Sequence, residues 1–129
     1  MAEDGALVLL VDDDEAVRES LKFALELEGL HVTAHESAEA LLAQSTLAHA
    51  DCLILDYKLQ GMDGFALIDR LAARKVRIPT VLITSHADPA LRARAKASKV
   101  RFVLEKPLAD AALAQSVRTI LAERPPFVD

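Results

Sequence analysis

The sequence predicts an α/β domain: a doubly wound, five-stranded parallel sheet with five helices. Three observations carry that prediction. Five short apolar runs alternate with five stretches of helical periodicity across 129 residues. The runs are nearly continuous in apolar residues, as in Leu7-Val8-Leu9-Leu10-Val11 and Cys52-Leu53-Ile54-Leu55, which suits strands buried on both faces. Four of them end in residues that carry chemistry: Asp12-Asp13-Asp14, Asp56, Thr84-Ser85 and Glu105-Lys106-Pro107. Strand–helix alternation implies right-handed crossovers and a parallel sheet covered on both sides.

Taken in order, residues 7–11 are the first strand. Asp14 can cap the helix that follows over about 15–28, where Val17, Leu21, Ala24 and Leu25 keep one face and Gly29 supplies the stop. His31 to Ala34 reads as the second strand. Ser37 is an N-cap without a capping box, and Ala38, Leu41, Leu42 and Ser45 predict a helix of about three turns. Residues 51–55 are the third strand, followed by a loop from Asp56 to Asp63. Asp63 caps the third helix, with Phe65, Ile68, Leu71 and Ala72 inward and Arg70, Arg74 and Lys75 toward water. Pro79 opens the fourth strand, 80–84. Asp88-Pro89 starts a fourth helix with a thin apolar stripe of Leu91, Ala95 and Ser98. Residues 101–104 are the fifth strand, and a last helix over roughly 109–123 faces Leu113, Val117, Ile120 and Leu121 inward before Pro125-Pro126 ends it.

Periodicity does not give strand order. Five strands favour the flavodoxin-like order 2-1-3-4-5, which places the first and third side by side. Asp12, Asp13 and Asp56 would then meet at the topological switch point, outside the strand carboxyl ends.

Composition bounds the rest. The length suits one domain, residues 1–129, with its core over about 6–122 and 123–129 a tail or the start of a linker. The net charge of −5 argues against direct nucleic-acid binding. The single cysteine, Cys52, lies in an apolar run and reads as a buried hydrophobe, which excludes a disulfide framework. No run reaches the roughly 20 apolar residues of a membrane span, and the acidic start Met1-Ala2-Glu3-Asp4-Gly5 does not resemble a secretory signal. The expectation is a soluble cytoplasmic protein without membrane contact. The basic stretch Arg92, Arg94, Lys96, Lys99, Arg101 is either a solvated face or a surface for an acidic partner or a dimer. His31, His35 and His49 read as ordinary polar positions.

Three clustered carboxylates repel, and at least one pKa rises unless something compensates. A hard divalent cation and Lys106 are the available compensations. No His or Cys spacing favours zinc, whereas Mg²⁺ binds through few carboxylates and keeps waters or phosphate oxygens. A carboxylate beside Mg²⁺ can attack phosphorus, giving an aspartyl phosphate. Lys106, the Thr84 hydroxyl and loop N–H groups would then receive the phosphoryl oxygens. Each feature alone is ordinary: acid runs usually cap helices, and Lys-Pro pairs usually turn. Their conjunction, each after its own strand, is the signal.

That set resembles the receiver domain of two-component response regulators. The matching pieces are Leu10-Val11-Asp12-Asp13-Asp14-Glu15, Leu53-Ile54-Leu55-Asp56 with Gly61-Met62-Asp63-Gly64, Ile78 to Thr84, and Phe102 to Pro107, within about residues 6–122. The run from Val11 to Ser45 is similar to receivers of LuxR-type regulators. The resemblance implies a CheY-like fold and a phosphorylation-dependent switch. It makes Asp56 the phosphoryl acceptor, Asp12, Asp13, Asp56 and the Lys58 carbonyl the Mg²⁺ ligands, and Lys106 the phosphate's partner. It makes Thr84 and Phe102 the switch pair and α4-β5-α5 the output face. The implied partners are a sensor histidine kinase or phosphotransfer protein, a downstream effector or output domain, and a second copy on phosphorylation. Enzymatic action would be limited to self-phosphotransfer and autodephosphorylation. Lys58 and His86 stand at positions that in such proteins influence dephosphorylation, and Lys58 could form a salt bridge over the site. Gln60, Ser98-Lys99 and Leu108 depart from the common pattern without removing a catalytic type.

Eight residues follow Leu121, too few for a DNA-binding helix pair, so the expectation is a stand-alone receiver or a piece of a longer regulator. Two other readings compete. A phosphatase of the haloacid-dehalogenase type would want an acid where Lys58 stands, and a cap domain. A degenerate receiver would bind partners without phosphorylation, against the intact set of Asp12, Asp13, Asp56, Thr84 and Lys106.

Overall fold

A computed structural model describes residues 6–44, 47–109 and 111–123, without the side chain of Ala48. Five parallel strands form one sheet: β1 (Val8–Val11), β2 (Val32–His35), β3 (Cys52–Asp56), β4 (Thr80–Thr84) and β5 (Phe102–Glu105). Their order is β2-β1-β3-β4-β5, the order expected from the sequence. The helices between and after them are α1 (Glu15–Leu27), α2 (Ala38–Leu42), α3 (Gly64–Ala73), α4 (Pro89–Ala97) and α5 (Ala112–Glu123).

Alternation along the strands divides the core into two layers. Val8, Leu10, Cys52, Ile54, Val81 and Ile83 face α1 and α5, where Leu25, Leu113, Val117 and Ile120 meet them. Leu9, Val11, Leu53, Leu55 and Leu82 face the other side, against Leu41, Phe65, Leu67, Leu71 and Ala95. Central strands buried on both faces require apolar residues at every position, which is why the runs lack polar–apolar alternation.

The helix starts follow their caps. Asp14, Ser37, Asp63 and Asp88 accept hydrogen bonds from the N–H groups of Val17, Ala40, Ala66 and Leu91, at 3.1, 3.0, 2.9 and 2.8 Å. Gly29 takes φ +87 just past α1, and the N–H of Leu30 returns to the Leu25 carbonyl.

Four readings need correction. The helix after Ser37 is a single short piece, Ala38–Leu42, followed by a 3₁₀ turn at Leu47–His49. Leu42 and Leu47 are both buried, and a spacing of five cannot keep both on one helical face. The loop after Asp56 contains a two-residue antiparallel hairpin, Lys58–Leu59 with Met62–Asp63, turning through Gly61 at φ +85. On α3 the fully buried Leu67 joins the inward stripe, while Ile68 and Ala72 are only half-buried. On α1 Ala24 is exposed, and Phe23 and Leu27 are open to solvent at 65% and 71%. Ser45, the Pro125-Pro126 stop and the acidic N-terminus lie outside the described residues.

Candidate active site

The strand carboxyl ends are tied together by backbone bonds that extend the ladder. The Asp12 N–H donates to the His35 carbonyl at 3.2 Å. Tyr57 donates to Ile83 and Lys106 to Thr84, both at 2.8 Å. Asp12, Asp56, Thr84 and Lys106 therefore start from fixed backbone positions on one edge. β1 and β3 are neighbours, with Val11 opposite Leu55, so Asp12 and Asp56 emerge side by side.

Three of the four side chains are withdrawn from water: Asp12 is 2% exposed, Asp56 8% and Thr84 4%. Asp56 is held at both oxygens. Oδ1 accepts the Lys58 N–H at 3.1 Å, and Oδ2 accepts the Lys106 ammonium at 3.0 Å. Asp12 Oδ1 accepts the Asp14 N–H at 2.9 Å, while Arg18 donates to the Asp12 carbonyl. The sequence links these groups to one edge, and the structure brings Asp12, Asp56 and Lys106 into direct electrostatic contact.

Burial pushes the Asp12 carboxyl above the ordinary carboxylate range. The Asp14 N–H opposes this, the adjacent Asp56 charge adds to it, and Lys106 pulls it back without cancelling it. Excess negative charge on hard oxygen atoms is the condition a divalent cation relieves.

Among the described residues no group of three or more His, Cys, Asp or Glu side chains is set to hold a metal ion. Asp13 is exposed and lines the cleft without joining the Asp12–Asp56 pair. The donor set fits Mg²⁺ rather than a cation that wants a full protein cage, because Mg²⁺ keeps most of its waters and needs one or two carboxylates.

The Thr84 hydroxyl is occupied by its own loop. It accepts the His86 N–H at 3.2 Å and lies 3.4 Å from the His86 carbonyl. Phe102 opens β5 half-buried, with the Arg101 guanidinium 5.7 Å from its ring centroid. Lys58 is exposed and forms no ion pair among the described residues. The Lys106–Pro107 peptide is cis. His35, read as an ordinary polar position, is half-buried with an unpartnered Nε2, and burial lowers its pKa.

These groups open into a cleft of about 710 Å³ that Asp13, Asp56, Lys58, Thr84, Ser85 and Lys106 line. Tyr57, Phe65, Leu91 and Arg94 line it as well. Periodicity places Phe65 in the core and Arg94 among several basic residues, and it gives no sign that they meet, because that depends on how α3 and α4 dock.

The sequence profile of the response regulator receiver domain matches residues 8–118. The chain belongs to that family. Among similar proteins is the transcriptional regulatory protein FixJ of Azorhizobium caulinodans, 40% identical over 114 residues, covering 88% of this chain and 54% of FixJ. Another is the C4-dicarboxylate transport transcriptional regulatory protein DctR of Rhodobacter capsulatus, 40% identical over 106 residues, with 80% of this chain and 53% of DctR covered. The crystal structure of FixJ-N superposes with a TM-score of 0.82 at 31% identity, covering 95% of this chain and 98% of that one. This chain thus spans about half the length of the curated relatives it matches. As a receiver of the two-component type, it has the framework of a phosphorylation-dependent signalling switch. No helix among the described residues is long and apolar enough to cross a membrane.

Proposed function

We propose that this receiver accepts a phosphoryl group on Asp56, from a histidine kinase, a phosphotransfer protein or a small phosphodonor. The observation that carries this is the buried Asp56 carboxylate with the Lys106 ammonium 3.0 Å from Oδ2, beside an acid whose pKa is raised. An Asp56 oxygen would attack phosphorus, forming an O–P bond as the donor's P–N or P–O bond breaks. The donor's leaving atom keeps the electron pair. Lys106 and loop N–H groups then stabilise the transferred oxygens.

Asp12, Asp13, Asp56 and the Lys58 carbonyl are the residues that would hold Mg²⁺. The ion would supply charge neutralisation for the phosphoryl oxygens. Asp12 and Asp56 must both be ionised for that role, and their mutual repulsion is what the ion would remove.

The added group brings about −1.5 to −2 charges and three acceptor oxygens. Thr84 would exchange its His86 contacts for a phosphoryl oxygen. Phe102 would move into the space Thr84 leaves, changing the α4-β5-α5 face toward an effector, an output domain or a second copy. Contacts made in only one state shift a pre-existing equilibrium. The chain is read as one receiver unit with its core over about residues 6–122. The similar proteins FixJ and DctR are transcriptional regulatory proteins, which supports an output that regulates genes.

Incubation with acetyl phosphate and Mg²⁺, followed by intact mass, tests the reading. One phosphoryl adduct on the wild type and none on Asp56→Asn is expected. No adduct from acetyl phosphate or from a cognate kinase would point to a degenerate receiver. Steady release of phosphate from simple esters would point to a phosphatase.

A further inference from the structure

Arg94 stands in the cleft with its charge uncommitted. It lies on α4, is exposed, and makes no ion pair among the described residues. Its guanidinium carbon sits 4.5 Å from the centroid of the Phe65 ring, near the start of α3. Phe65 in turn meets the ring of Tyr57, the residue after Asp56, edge to face at 5.6 Å. Arg94 and Asp56 line the same cleft.

A cation–π contact holds a guanidinium over an aromatic ring without requiring its N–H donors, which stay available for an anion. Lys106 is committed to Asp56. Lys58 is an exposed ammonium on a flexible stem with no ring beneath it among the described residues. Arg94 is the cleft cation that is both oriented by packing and unpaired by any carboxylate among the described residues.

We propose that Arg94 is the donor-recognition residue of this site. Held over the Phe65 ring, it meets the incoming phosphoryl dianion in the cleft before any bond to Asp56 forms. This rests on the reading of Asp56 as the acceptor. The role is electrostatic and precedes chemistry, so it acts on the rate of phosphoryl transfer and not on the life of the adduct. An exposed charge is screened over about 8–10 Å at ordinary salt, so the contribution falls as ionic strength rises.

The test measures the second-order rate of adduct formation with acetyl phosphate and Mg²⁺ across a salt series, for wild type, Arg94→Gln and Arg94→Lys. At low salt Arg94→Gln is expected to be slower by roughly two- to fivefold, the size of one exposed charge pair. Its rate should depend less on salt, and the curves should converge at high salt. Arg94→Lys, which keeps the charge but not the guanidinium on Phe65, should keep the wild-type salt dependence and recover only part of the rate, and adduct decay should be equal in all three. Equal rates and equal salt dependence in wild type and Arg94→Gln would overturn the proposal. So would equal slowing in both variants with a lowered melting temperature, which would mark Arg94 as a packing residue. If the wild type takes no phosphoryl group at all, the Asp56 reading itself fails, a result distinct from either.

Discussion

The ammonium of Lys106 lies 3.0 Å from Asp56 Oδ2, across 50 residues of sequence. β5 carries Lys106 to that place beside β4, and the Lys106 N–H holds its backbone to the Thr84 carbonyl at 2.8 Å. Asp56 thus owes its partner to strand order. The sheet sequence β2-β1-β3-β4-β5 puts β1 on one side of β3 and β4 on the other. Acids from β1 and the cation after β5 reach the same carboxylate from opposite sides.

Lys106→Ala removes the preorganised charge that would meet the phosphoryl oxygens. Loss of one such donor costs about a hundredfold or more in rate. The rate of adduct formation from acetyl phosphate, followed by intact mass, should fall by that order while the circular dichroism spectrum is unchanged. A fall of less than threefold, a margin close to the effect of one exposed charge pair, would remove Lys106 from the chemistry.

Asp12 gives a pH dependence with a definite sign. Its folded pKa is raised, so between the ordinary carboxylate value and the folded value the native state binds more protons than the unfolded one. Stability from this group therefore rises as pH falls through that window, and the destabilisation is fully present above it. Without divalent cations, Asp12→Asn should melt higher than wild type at pH 7. The gap should narrow as the pH falls toward the carboxylate range. Mg²⁺ at pH 7 should raise the wild-type midpoint and leave Asp12→Asn much less affected. A lower midpoint for Asp12→Asn at pH 7 would contradict the charge account.

Gly64 opens α3 within van der Waals reach of the site's backbone. A Cβ there would stand 3.0 Å from Leu82 Cδ1, 3.3 Å from Leu55 Cδ2 and 3.3 Å from the Tyr57 Cα. The Gly64 N–H also donates to the Tyr57 carbonyl at 2.7 Å, anchoring the loop after Asp56. Gly64→Ala should cost about 1–3 kcal/mol, the usual penalty of overpacking, in urea unfolding. It should slow phosphorylation as well, since the displaced atoms include Tyr57. Unchanged stability would show that the two leucines absorb the methyl group.

Cys52 is fully buried in β3, and burial, with the Asp51 charge behind it, pushes its thiol up to about 12. Only the thiolate reacts with disulfide reagents. The native protein should therefore resist labelling at pH 8, and urea-unfolded protein should label within the mixing time. Rapid native labelling would mean that β3 opens locally.

The fold was legible where one physical signal sufficed. Continuous apolar runs announced strands buried on both faces, and Asp14, Ser37, Asp63 and Asp88 marked helix starts that the structure keeps. What stayed hidden depends on contacts distant in sequence. The apolar run stops at Leu55, which makes Asp56 the first loop residue on pattern alone, yet it pairs with Ile83 and closes β3. The hairpin at Lys58–Leu59 and Met62–Asp63 left a local trace, Gly61 between Leu59 and Met62, that is too short to weigh on pattern alone. Ala24 has the right spacing for the buried face of α1, but the face is narrower than the spacing suggests, and only Leu25 is fully covered. At the site, the residue types and their order were readable. The Phe65–Arg94 contact was not, because it joins two helices whose docking no periodicity encodes.

The central claim is that position 56 is where phosphorus becomes attached. Borohydride reduction of the freshly phosphorylated wild-type protein converts an aspartyl phosphate to homoserine, and peptide mass mapping locates it. Homoserine is expected in place of Asp56 and nowhere else. Homoserine at Asp12 or Asp13, or intact aspartate at all three positions in protein that carries the phosphoryl mass, would contradict it.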